Sequence, residues 1–353
     1  MANIIDQYFD ILIKEKGSDL HLAQGQRPKM RAHGEIIPIG EQILTEETLG
    51  EMMRQICEPH RFEKYLKTGD IDFAYALGDR ARFRANYYMQ SDGFGCIFRI
   101  IPSKILSLED LKSPEVLKRF AHFRSGLVLV TGPTGSGKST TLAAIIDYIN
   151  TNYSKHILTI EEPIEFVHPR KKAVIIQREV GIDTNSFADG LKSSTRQDLD
   201  IVLVGEMRDP ETIALALKAA EMGSLVFGTL HTNSAAKTID RIVDSFPSDE
   251  QENVLMLLGS SLRGVCSQLL LKTADGKGRC AVQEILVEAQ GLSNMIRERK
   301  LSMLESLIQG GRKEGMQLMD DALWDKVQDK TIAPEDAYMK AKDKKRFAHM
   351  VKD

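Results

Sequence analysis

Apolar and polar positions follow two different periods along the first hundred residues. Over residues 4–16 the apolar positions Ile5, Tyr8, Phe9, Leu12 and Ile13 recur at helical spacing. Gly17-Ser18 stops that helix, and Asp19-Leu20-His21-Leu22 begins a period-two alternation that predicts a strand. A second helix is predicted over 45–53, with Thr45 as its cap and Glu46 and Glu47 in its first turn. Residues 71–75, 81–87 and 96–100 each alternate with period two, and Gly78-Asp79 and Asp92-Gly93 between them are turn chemistry. Together these predict a small α+β domain with an antiparallel sheet. Ile101-Pro102-Ser103 ends it, because proline has no N–H to donate to the ladder.

Beyond Gly126 the pattern changes to short continuous apolar runs separated by helical stretches. Residues 127–130, 157–160, 201–204 and 225–230 read as strands buried on both faces. The clearest intervening helix covers 210–222, with Asp209 as cap, Pro210 first and Gly223 at the stop; Ile213, Leu217 and Ala220 form its apolar face. Strands alternating with helices predict a mostly parallel α/β sheet. From about residue 290 the pattern is helical only. The expected division is therefore 1–101, a linker at 102–125, an α/β core at 126–290 and a helical region at 291–353.

The chain has 353 residues, enough for about two domains. With 42% hydrophobic and 27% charged residues it reads as a folded protein, and no stretch approaches the apolar length of a membrane helix. Met1-Ala2-Asn3-Ile4-Ile5-Asp6 lacks the basic start and apolar block of a secretory signal. Cys57, Cys96, Cys266 and Cys280 are far apart and form no Cys-x-x-Cys pair, as expected for buried thiols in a reducing cytoplasm. The net charge of −3 argues against a polyanion partner.

Gly132-Pro133-Thr134-Gly135-Ser136-Gly137-Lys138-Ser139 fits G-x-x-x-x-G-K-[ST], between a predicted strand and the helical run 140–149 that Thr140 opens. Glycines let successive N–H groups turn inward as an anion nest, and the helix N-terminus adds partial positive charge. In this pattern Lys138 reaches the β- and γ-phosphates and the Ser139 hydroxyl ligates magnesium. The chain is therefore expected to bind a nucleoside triphosphate with Mg²⁺.

Hydrolysis also requires an aligned water and stabilised phosphoryl charge. Two acidic clusters stand at predicted strand ends, where an open α/β sheet places its site: Glu161-Glu162, and Glu206 after the apolar run 201–204, a Walker B shape. One carboxylate can hold the metal while another polarises the water, and either cluster can supply either role. His231 ends the run 225–230 and reads equally as a γ-phosphate sensor or as a structural histidine. Arg82 and Arg84 share one face of a first-domain strand, with Arg99 on another, and read from the residues alone these form an exposed sheet face.

These motifs resemble those of the secretion-system ATPase superfamily. The resemblance rests on 126–144, the acidic box 159–166, Gln177-Arg178-Glu179-Val180-Gly181 and Val204-Gly205-Glu206-Met207-Arg208-Asp209. The stretch 228–241, Gly17-Ser18-Asp19-Leu20-His21-Leu22 and Gly315-Met316-Gln317 are similar to the twitching-motility (PilT-type) retraction ATPases of type IV pili. The resemblance implies an N-terminal PAS-like domain, a RecA-like core and a homohexameric ring in the cytoplasm, at the cytoplasmic face of the inner membrane. It implies that nucleotide binds between the two domains, that hydrolysis moves them as rigid bodies, and that Arg82, Arg84 and Arg99 approach the γ-phosphate. The implied partner is an inner-membrane platform protein, through which the ring associates peripherally with the membrane to remove pilin subunits; a paralogous pilus ATPase is a further implied partner.

Extension ATPases of this superfamily usually carry a four-cysteine zinc site and an extra N-terminal domain; the dispersed cysteines and the early start of the PAS-like pattern point to retraction. Three departures from the family pattern stand out, two at single positions and one within a motif. Glu162 stands where aspartate is usual, and Leu199 where proline is usual. The retraction motif Ala-Ile-Arg-Asn-Leu-Ile-Arg-Glu appears as Gly291-Leu292-Ser293-Asn294-Met295-Ile296-Arg297-Glu298, with Gly291 expected to weaken a helix start. An accessory (PilU-like) retraction ATPase is the alternative within the family. A RecA-like nucleic-acid translocase is the alternative outside it, and the charge balance and absence of a basic-aromatic stretch argue against it.

Overall fold

In the computed structural model, which describes residues 3–32, 34–78, 80–101 and 104–351, the alternating segments of the first hundred residues form one antiparallel sheet. Its strands are β1 (Asp19–Ala23), β2 (Lys29–Ala32), β3 (Glu35–Pro38), β4 (Asp70–Leu77), β5 (Ala81–Gln90) and β6 (Gly93–Ile101), in the order β3-β2-β1-β6-β5-β4. Three helices accompany it. The helix Asp6–Lys14 buries Tyr8, Phe9 and Leu12, and Phe9 stacks on Phe83 at 4.2 Å between ring centroids. The helix Glu46–Ile56 opens on the expected cap: Thr48 N donates to Thr45 Oγ1 at 3.2 Å, and Thr45 N to Thr48 Oγ1 at 3.0 Å. The helix Pro59–Thr68 and strands β2 and β3 were not predicted. β3 is exposed at every position, so no alternation marks it. Asp79, Pro102 and Ser103, read above as turn and sheet end, lie outside the described residues, as do Met1 and Ala2.

The second sheet follows from the continuous apolar runs. Its strands are β7 (Gly126–Thr131), β8 (His156–Glu161), β9 (Val174–Glu179), β10 (Ile201–Val204), β11 (Leu225–Leu230), β12 (Leu262–Lys272) and β13 (Arg279–Val287), in the order β13-β12-β7-β11-β10-β8-β9. Every pairing is parallel except β12 with β13. β7, β10 and β11 are buried throughout, as strands covered by helices on both faces must be. The helix Pro210–Glu221 is capped by Asp209, whose carboxylate accepts from Thr212 N at 2.8 Å, and it stops at Gly223, where φ is +110°.

The chain divides into two compact units, Met1–Lys104 with Pro163–Val167, and Ile105–Glu162 with His168–Asp353. From Ile105 the stretch expected as a linker belongs to the second unit, because Leu108, Val116, Leu117 and Phe120 are buried in that unit's core. After Val287 the described elements are helices, and the last of them pack a small core around Leu323, Ile332 and Phe347 against Leu271 of β12 and Val282 of β13. Gly291 sits ahead of the helix Leu292–Arg297 at φ +90°, not inside it. Glycine is the residue suited to that backbone, so the expected weakening of the helix start does not arise. Among the described residues no helix is long and apolar enough to cross a membrane.

His168, in the second unit, makes stability depend on pH. Burial pushes its imidazole pKa down to about 4, assisted by Lys171 and opposed by Asp147. The native state then binds fewer protons than the unfolded chain between about 4 and the ordinary value, so stability is lost as pH falls through that window. Urea unfolding is expected to give a native state roughly 2 kcal/mol less stable at pH 5 than at pH 8 from this group alone. His168→Gln should flatten that slope; an unchanged slope would contradict the assignment.

Candidate nucleotide site

Parallel pairing brings the carboxyl ends of β7, β11, β10 and β8 to one edge of the second sheet. Thr131 lies opposite Leu230, and Gly132 N donates to Leu230 O at 3.2 Å, so the phosphate loop and His231 leave adjacent strands side by side. Val204 is in register with Gly228 and Ile160, which places Glu206 between His231 and the Glu161-Glu162 pair along the same edge. Four of the sequence-expected elements thus converge.

The loop itself runs from β7 into the helix Lys138–Asn152. Gly132, Gly135 and Gly137 have φ of +146°, +78° and +86°. At Gly132 a side chain is excluded twice, because a Cβ would lie 2.2 Å from Gln268 O on β12. Pro133, Thr134, Gly135 and Ser139 are exposed, Thr140 is half-buried, and Ser136 is buried with its hydroxyl lacking a hydrogen-bond partner. Lys138 Nζ arches over the loop to donate to Gly132 O at 2.9 Å and Pro133 O at 3.2 Å. A cationic head, an orphaned hydroxyl and N–H groups at a helix start suit a polyphosphate.

Glu206 and His231 touch, with Nε2 3.0 Å from Oε1. Arg208 forms a fork on the same carboxylate, Nη2 to Oε2 at 2.6 Å and Nε to Oε1 at 2.5 Å. Partial burial raises the Glu206 pKa, but the Arg208 hydrogen bond and charge, with His231, outweigh burial and hold it below the ordinary carboxylate range. Glu206 is therefore an ionised carboxylate at neutral pH. With Met207, Arg208, Leu230, His231, Thr232 and Arg241 it lines a cleft of about 280 Å³. Glu161 accepts from Thr159 Oγ1 at 2.7 Å and Gln177 Nε2 at 3.2 Å, while Glu162 is exposed.

Arg82, Arg84 and Arg99 belong to the first unit and share a sheet face, Arg84 pairing opposite Arg99. Arg99 Nε donates to the buried Asp19 at 2.8 Å, Arg84 Nε lies 3.8 Å from Asp72, and Arg82 Nε donates to Ile164 O at 3.2 Å. Several residues escaped the sequence reading. Arg208 was legible only as a motif neighbour of Glu206. Gln268 and Glu284 are buried polar residues on strands with no motif; Gln268 Nε2 donates to Ser136 O at 2.6 Å, and Glu284 accepts from Ala235 N, at the start of the helix Ala235–Asp244, at 2.8 Å.

The family model for type II/IV secretion system proteins matches residues 96–339. The chain is 51% identical to a twitching motility protein of Neisseria gonorrhoeae, over 89% of this chain and 84% of that one. It is 49% identical to the type IV pilus retraction ATPase PilT of Pseudomonas aeruginosa, over 95% and 97% of the two chains. Identity to the type IV pilus ATPase PilU of the same organism is 36%, over 97% and 90%. A crystal structure of the pilus retraction motor PilT with bound ADP superposes with a TM-score of 0.89 at 41% identity, covering 99% of this chain and 100% of that one. Sequence, fold and phosphate loop agree: the chain belongs to the type II/IV secretion system protein family and, within it, to the pilus retraction ATPases of twitching motility.

Proposed function

We propose that this chain hydrolyses MgATP to drive type IV pilus retraction, as a homohexameric ring at the cytoplasmic face of the inner membrane. The observation that carries the site is the convergence of the phosphate loop, Glu206 and His231 at one edge of a parallel sheet. In this reading 126–290 is the RecA-like core, 1–101 the PAS-like domain and 291–353 the helical region. The 132–140 loop binds the phosphates, with Lys138 turning from its carbonyl contacts to the β- and γ-oxygens. Ser139 and Glu206 would hold Mg²⁺, which neutralises phosphate charge when bound.

Glu206, with Glu161 and Glu162, orients and polarises the attacking water. Its low pKa keeps it an anion, and the Arg208 fork must open for it to serve. His231, in contact with that carboxylate, reports the γ-phosphate to the turn and helix that follow. Arg82, Arg84 and Arg99 supply positive charge from a first unit. The force is passed to an inner-membrane platform protein. Greater similarity to PilT than to PilU of one organism favours a principal motor over an accessory one. A translocase of nucleic acid is disfavoured by the net charge of −3.

Deletion of the gene in its host tests this reading, with surface pili counted by electron microscopy beside a twitching assay. Excess pili with lost motility are expected. Near-normal pili would assign an accessory role, and bald cells would reverse the direction to extension.

A further inference from the structure

The Gly315-Met316-Gln317 segment lies far along the chain from the phosphate loop, yet a series of hydrogen-bonded amides, buried at Gln268 and Gln283 and half-buried at Gln317, joins the two. Gln317 pairs with β13 through Ile285 N to Gln317 O at 2.8 Å and Gln317 N to Ile285 O at 3.1 Å. Its side chain donates to Gln283 O at 2.7 Å. The Gln283 side chain donates in turn to Gln268 Oε1 at 2.8 Å. Gln268 completes the series by donating to Ser136 O at 2.6 Å and accepting from Thr141 Oγ1 at 2.8 Å. Ser136, Thr141, Gln268 and Gln283 are each at most 3% exposed. The segment is itself pinned: Gly315 has φ +89°, and a Cβ there would lie 2.7 Å from Val116.

Both polar ends of the buried Gln268 side chain are paired, which specifies one geometry, since an alternative arrangement strands a donor or acceptor away from water. Gln268 contacts the chain on both sides of Lys138, at Ser136 in the loop and at Thr141 in the helix that follows. We propose that Gln268, Gln283 and Gln317 are positioning residues for the nucleotide, holding the phosphate loop in its binding shape from the C-terminal segment. This rests on the reading of 132–140 as the ATP site. None of the three touches the phosphates in this role; each acts on affinity through the loop backbone.

The test compares MgATP affinity by calorimetry, and KM against kcat, for full-length Gln268→Met, Gln317→Met and the double variant, with Lys138→Ala as control. Loss of one or more buried hydrogen bonds should raise Kd and KM about fivefold for Gln317→Met and about tenfold or more for Gln268→Met, with kcat held within about twofold. The double variant should resemble Gln268→Met, because the two residues lie in one series. Independent packing defects would instead lower the melting temperature while leaving Kd unchanged, or would multiply in the double variant; either result overturns the proposal. If Gln268→Met fails to fold, an unchanged Kd for Gln317→Met alone overturns it. Wild-type binding by Lys138→Ala would mean that the site reading has failed. Lost binding by Lys138→Ala beside wild-type affinity in the glutamine variants would mean that only this inference has failed.

Discussion

Lys138→Ala is expected to weaken MgATP binding by on the order of a hundredfold while the chain remains folded. The ammonium group is the one side-chain cation built into the loop, and its charge-assisted hydrogen bonds to phosphate oxygens contribute about 1.5–3 kcal/mol each. In the structure the same group donates to Gly132 O and Pro133 O, so alanine also frees two carbonyls. Pro133 is exposed, so water can replace the donor lost at its carbonyl, whereas Gly132 is buried and its carbonyl bears the larger cost. Fold integrity is checked by circular dichroism and affinity by calorimetry with a non-hydrolysable triphosphate. Wild-type affinity in a folded variant would refute the reading of the loop.

Glu206→Gln is expected to separate chemistry from binding. The substitution keeps the shape of the side chain and removes the charge that, in the proposed function, polarises a water. A fall in kcat of about a hundredfold or more is expected, within the range attributed to a positioned base. Triphosphate affinity should stay within about twofold of wild type, because the phosphates rest on the loop and not on this carboxylate. Arg208 and His231 lose an anionic partner, so their contacts loosen, but both are substantially exposed and water can take the place of the anion. Turnover equal to wild type would remove Glu206 from the catalytic role and return it to Glu161 or Glu162.

The parts of the fold legible in the amino-acid sequence are those whose burial is uniform or strictly alternating. β10 and β11 coincide with their apolar runs because helices cover both faces and Thr229 is the single polar side chain within them. β12 and β13 are equally buried over most of their length but carry Ser267, Gln268, Gln283 and Glu284, and those polar positions break the apolar signal. Gln268 and Glu284 are polar because they bond backbone groups of the loop and of a helix start, while Ser267 and Gln283 bond the side chains of Thr131 and Gln268. β9 was hidden for the opposite reason: it is a sheet edge, with Val174 and Ile176 exposed.

The site shows the same division. A phosphate loop is local, nine residues between one strand and one helix, so its motif is complete in the sequence. The contact of His231 with Glu206 needs only neighbouring parallel strands, and strand-end reasoning finds both residues without pairing them. Support from Gln268 and Gln317 depends on tertiary pairing more than a hundred residues away, for which no local pattern exists.

The central claim is that ATP turnover at this edge of the sheet drives pilus retraction. Its most direct test is live imaging of fluorescently labelled pili in cells whose sole copy of the gene carries Glu206→Gln. Pili that extend at the normal rate and fail to retract are predicted, with retraction restored by the wild-type gene. Retraction events at wild-type frequency and speed in the variant cells would contradict the account.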